Sequence, residues 1–148
     1  VTDTAVTTVI DNILTHLDTH LSEVDYKSRT EFFPVMQTTN TAVLAMPFGM
    51  TTTATFLALS GSWRLVHRIP FEFWIKHVNG AASTSTAAAF DLGYKAIRVL
   101  QDHDETDFSL DADTPLEWTV DPNPSTINNL PWLVATLVVP AVTYQEAA

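Results

Sequence analysis

Two histidines, His16 and His20, stand four residues apart in a stretch of helical periodicity, so both imidazoles project from one helix face. That spacing can hold a metal, but a closed zinc site takes four ligands and this helix supplies no third. A solvated face is the simpler reading. The run Asp102-His103-Asp104-Glu105 offers hard oxygen ligands of the kind a divalent cation takes, and Asp107, Asp111 and Asp113 follow it. It lacks the alternating aspartates and turn glycine of a calcium loop, so Asp102, Asp104, Glu105 and Asp107 read as a solvated acidic loop. His67 and Glu72 are the remaining acid-base candidates. Their odd spacing puts them on opposite faces of a regular strand, and a shared site would require an irregularity at Pro70.

No nucleophile elbow, P-loop, dinucleotide fingerprint, metalloprotease helix or EF-hand loop occurs in the sequence. The expectation is a protein without catalytic residues, cofactor or bound metal. The aromatic residues Trp63, Phe71, Phe73, Trp74 and Trp132 then read as core or interface anchors. Trp74 shares a strand face with Arg68, Glu72 and Lys76, which predicts partial exposure and a role at an interface. The apolar turn Met46-Pro47-Phe48-Gly49-Met50 points the same way. Turns lie at the surface, and Met46, Phe48 and Met50 there call for something to cover them.

The elements that position these residues follow from periodicity. Between Asp3 and Val24 the apolar residues Val6, Val9, Ile10, Ile13, Leu14, Leu17, Leu21 and Val24 recur at three and four, which predicts an amphipathic helix capped by Thr2, Asp3 or Thr4. Four strands are predicted next, over 32–38, 41–46, 51–60 and 63–78. Gly61-Ser62 marks a hairpin turn between the last two, and Pro70 implies an edge or a bulge midway along the second of them. A second helix is predicted over 87–101, with Ala89, Phe90, Gly93, Tyr94, Ile97 and Leu100 on its buried face and Gly93 permitting close approach to a sheet. Strands over 116–120 and 132–143 complete an α+β domain, two-layered, with two helices on one face of a mainly antiparallel sheet.

A chain of 148 residues is long enough to bury a real core and fits one domain spanning 1–148. Charged residues make up 16% and hydrophobic residues 46%. So few charges leave much of the surface to neutral polar groups or to other subunits. The 17 acidic residues outnumber the 7 basic ones, giving a net charge of −10. That balance argues against tight nucleic-acid binding, which depends on neutralising phosphates, and it suits a high-salt solvent. Without cysteine there are no disulfides or thiolate metal sites. No long apolar run or basic leader is evident, which predicts a soluble chain with no membrane partner.

In order and length the whole chain resembles the tail-terminator, or tail-completion, proteins of long-tailed viruses. The likeness rests on the amphipathic helix at 4–24, the extended Phe32-Phe33-Pro34-Val35, the long hairpin at 51–78, the alanine-rich helix at 87–101 and two closing strands. The turn Met46-Pro47-Phe48-Gly49-Met50 departs from the common pattern. The resemblance implies a structural virion protein that forms a hexameric ring at the head-proximal end of the tail tube, stops tube growth and docks to the neck. Its partners would be copies of itself, the tail tube protein and neck or connector proteins. The acidic, lysine-poor composition adds a virus of a halophilic archaeon as the source. Alternatives are a neck adaptor or head-completion protein, and a cellular oligomeric small-molecule binding protein with a pocket between sheet and helices.

Overall fold

The computed structural model describes residues 5–24, 26–27, 42–44, 47, 49–77, 82–127 and 130–146. The strand expected over 32–38 and the turn residues Met46 and Phe48 lie outside the described residues. Helix α1 (Val6–His20) buries Val9, Ile10, Ile13, Leu14 and Leu17, the stripe its spacing predicts. Ala5 occupies the N-cap position and contributes no side-chain hydrogen bond. At the other end the Leu21 N–H still reaches the Leu17 carbonyl at 2.9 Å, after which the chain turns extended.

Two long strands form the centre of the sheet. Strand β4 (Ser62–Lys76) and strand β8 (Leu130–Glu146) pair antiparallel along their length, from Ser62 with Glu146 to Lys76 with Trp132. Shorter strands line their outer sides. Along β4 lie β3 (Thr51–Leu57) and β2 (Ala42–Leu44), with β1 (Tyr26–Lys27) parallel to β2 beyond it. Along β8 lie β5 (Ser109–Leu110), β6 (Glu117–Val120) and β7 (Ser125–Ile127), all antiparallel to it. Gly61 has φ 67°, and its N–H bonds the Leu57 carbonyl to close the β3–β4 hairpin where the sequence places it.

Pro70 sits within β4 without a bulge, since the register with β8 runs unbroken through the Pro70–Val138 pair. The hydrogen-bond phase explains its tolerance. The His77 N–H donates to the Pro131 carbonyl, so odd-numbered residues of β4 bond β8 and even-numbered ones face outward. Proline at position 70 therefore lacks only an outward donor. That donor would fall between the end of β3 pairing at Arg68 and the start of β2 pairing at Phe73, a local edge among the described residues.

The odd residues Ile69, Phe71, Phe73 and Ile75 of β4 and Leu133, Ala135, Leu137, Val139 and Ala141 of β8 share one core with α1 and with helix α2 (Ala82–Gln101). The fold is α+β, with both helices on one face of a mainly antiparallel sheet. Helix α2 starts earlier than position 87, and its buried stripe keeps Ala89, Gly93 and Leu100 of the expected one but excludes the two aromatic residues. Ala89, Leu92, Gly93, Ala96 and Leu100 are buried, while Phe90 and Tyr94 point outward. Small residues win the inner face because the sheet comes close. A Cβ added to Gly93 would stand 2.3 Å from Nε1 of the Trp118 indole, so the close approach expected at this glycine is real and the bulky rings must turn away.

Candidate interaction surface

Trp74 is 6% exposed, so the exposure expected of it is not found. It faces away from the helices, opposite Val43 of β2, and packs with Val43 and Trp132 in a second small core. Burial holds the carboxyl of nearby Glu72 above the usual range. Charges on its strand face suggested a wet surface, but the pairing with β2 and β8 brings two apolar side chains against the indole. Met50, by contrast, is exposed where β3 begins.

His67 and Glu72 fall on opposite faces, as their spacing requires, and no bulge brings them together. His67 is buried between two hydroxyls: Thr52 Oγ1 lies 2.9 Å from Nδ1 and Thr143 Oγ1 2.7 Å from Nε2. A neutral imidazole satisfies both, donating through one nitrogen and accepting through the other. Desolvation lowers the His67 pKa and so favours that neutral form. The group joins β3, β4 and β8 and serves as a polar rivet.

Of the pair expected on a solvated face, His20 is exposed and His16 is part-buried. The His16 Nε2–H donates to the Val99 carbonyl at 2.8 Å, and the His103 ring bonds the Leu100 carbonyl at 2.6 Å. Two histidines thus cap the last turn of α2, and Phe108 lies between them, edge-on to His16 and stacked on His103. In the loop that follows, Asp102, Asp104, Glu105 and Asp107 are all exposed. Asp104 accepts the backbone N–H and the hydroxyl of Thr106, bonds that lower its pKa and fix a turn. Among the described residues no three His, Asp or Glu side chains are grouped to hold a metal ion.

Among the described residues, exposed aromatic side chains group in two places. The β4 residues in the core shared with the helices begin at Ile69, and the turn end of the β3–β4 hairpin, with the end of β8 paired alongside, lies beyond it as an arm. On it Phe56 (48% exposed) packs against Trp63 (38%), ring centroids 5.1 Å apart, and Leu59 at the tip is fully exposed. The second patch is the outer face of α2, where Phe90 (59%) and Tyr94 (70%) lie one turn apart. The arm is free of charge from its start at Met50 to Trp63, and no Asp, Glu, Lys or Arg occurs anywhere between Phe32 and Trp63. That gap in charge was the sequence signal for the arm. The two arginines that follow are neutralised, Arg64 by Asp111 at 2.8 Å and Arg68 by Glu117 at 3.1 Å. Hydrogen bonds from Thr114 and then Arg64 hold the Asp111 carboxyl below its ordinary pKa.

Clefts of about 310 and 370 Å³ lie on the outer side of the helices, the latter lined by His20, Ser22, Glu23, Lys95, Arg98, Val99 and Asp102. Lys95 there is engaged by Glu23. Between helices and sheet, apolar core side chains fill the space. No helix among the described residues is long and apolar enough to cross a membrane. Compared with known proteins, the sequence matches no protein-family model and no curated protein.

Proposed function

We propose that this chain is a structural virion protein that assembles head to tail into a ring at the head-proximal end of a tail tube, terminating tube growth and joining tail to neck. The observation that carries the reading is the pair of separate exposed aromatic patches, Phe56 with Trp63 on the arm and Phe90 with Tyr94 on α2. A head-to-tail contact joins two different surfaces of identical subunits, and repeated with a closing rotation it makes a ring. Both patches are rich in aromatic side chains, the usual anchors of interfaces, and the arm offers no charge to be desolvated. Order and length of the elements support the same reading through their likeness to tail-terminator proteins. Six subunits is the number that likeness implies, and the acidic composition fits a virus of a halophilic archaeon.

Phe56→Asp and Phe90→Asp test it. Each side chain is substantially exposed in the single chain, so each variant should keep its circular dichroism spectrum and thermal midpoint. Each should fail to join wild-type rings, since a carboxylate buried without a partner costs several kcal/mol. Variants that assemble as well as wild type would remove the patches from the interface and the reading with them.

A further inference from the structure

We infer that the outer edge of β3 pairs with β3 of a second copy, antiparallel, about a two-fold axis at Ala54. The inference does not rest on the ring, whose contacts use faces of the arm and of α2 rather than this edge.

Exposed edge strands are ordinarily blunted by charge, proline, bulges or brevity. The opposite edge of this sheet has all but the bulge. Its strands β5, β6 and β7 are short, and Asp111, Asp113, Pro115, Asp121, Pro122 and Pro124 interrupt them. Strand β3 has none of these devices. It pairs with β4 without a break from Thr51–Arg68 to Leu57–Ser62, holds no charge and no proline, and is exposed from Thr51 to Phe56. Among the described residues the edge is left open to another strand.

The phase of the ladder says which groups are open. Even-numbered residues of β4 bond β3, so Thr51, Thr53, Thr55 and Leu57 point their N–H and C=O groups inward. Thr52, Ala54 and Phe56 point theirs outward, with no strand against them among the described residues. An antiparallel copy centred on Ala54 sets Thr52 opposite Phe56 of the second copy, Ala54 opposite Ala54 and Phe56 opposite Thr52. Every outward donor then meets an outward acceptor. On the other face the same register sets Thr53 opposite Thr55, a favourable cross-strand pair. Electrostatics selects the same surface. Two chains of net charge −10 repel least where neither carries charge, and Phe32 to Trp63 is such a stretch.

The chain, which has no cysteine of its own, gives a clean test. Thr53→Cys and Thr55→Cys variants are prepared separately, mixed and oxidised. The mixture should form a disulfide-linked heterodimer, while each variant alone crosslinks weakly because like positions lie diagonal to one another. Ala54→Pro removes an outward donor and no bond to β4, so it should remain folded by circular dichroism. In a sedimentation dilution series it should lack the pairwise association that wild type shows, whether of single chains or of rings. A wild-type monomer at every concentration overturns the proposal. So does a mixture that crosslinks no better than its components, or an Ala54→Pro variant that stays folded and dimerises as wild type does.

Discussion

Gly93 shows how one atom sets the distance between layers. A methyl group there would overlap the Trp118 ring, with the nearest atoms at 2.3 to 2.4 Å, so either the helix lifts or the indole turns. Gly93→Ala should destabilise the fold by about 1–3 kcal/mol, read from urea denaturation. In a Trp118→Leu background the same change should cost clearly less, and an equal cost would show that contact with the Trp118 ring is not its source. His67 gives a second prediction at this scale. Its folded pKa lies below the ordinary 6.5, so the unfolded chain binds the extra proton first and stability falls as pH drops through and below 6.5. Glu72, whose folded pKa is raised, acts in the opposite sense, becoming less stabilising as pH climbs above 4.5. Comparing wild type with His67→Gln between pH 7 and 5 cancels that contribution. The wild type should lose stability more steeply, and parallel curves would contradict the burial of a neutral imidazole. The close approach at Gly93 was legible because glycine on a helix stripe has few other uses. The hydroxyl partners of His67 were not legible, since they come from strands whose register no local pattern states.

At the scale of elements, periodicity located both helices, the hairpin and the long closing strand, because each must bury one face and its spacing advertises that face. It failed where two faces both look apolar. On α2 the rings of Phe90 and Tyr94 seemed the natural core residues, yet Ala89, Gly93 and Ala96 were taken inside because Trp118 already fills the space. It failed again at Trp74, whose charged strand neighbours concealed the apolar partners that β2 and β8 bring from far along the chain. The strands β1, β5 and β7 span two or three residues each and are held by β2 or β8, so their own sequences carry almost no signal. The histidine caps on α2 make a further test of the element account. His16→Ala leaves the Val99 carbonyl without its donor and should cost about 1 kcal/mol, seen as a lower thermal midpoint. Added zinc should not restore the loss. Restoration by zinc would give His16 a ligand's role in place of a cap's.

For the whole molecule, charge distribution matters more than its sum. The chain carries −10, with acids gathered at 102–113 and none between Phe32 and Trp63. Screening acts over about 3 Å at molar salt and about 10 Å at 0.1 M, so removing salt lengthens the reach of repulsion within and between subunits. The thermal midpoint should therefore fall as salt is withdrawn, and a midpoint that rises would show that the acids are already paired. The exposed apolar patches were only partly legible in the sequence. Of the residues the sequence offered for an interface, Met50 is exposed, Trp74 is buried, and Met46 and Phe48 lie outside the described residues, while the arm and α2 patches emerge only once the shared core is seen to begin at Ile69 of β4.

Negative-stain imaging of the purified chain in molar salt, alone and with tail tubes assembled from the cognate tube protein, tests the central claim most directly. Rings of uniform diameter, six subunits around, should form and should seat at one end of each tube, fixing its length. Particles that show no ring at any concentration, beside tubes whose ends stay bare and keep growing, would contradict it.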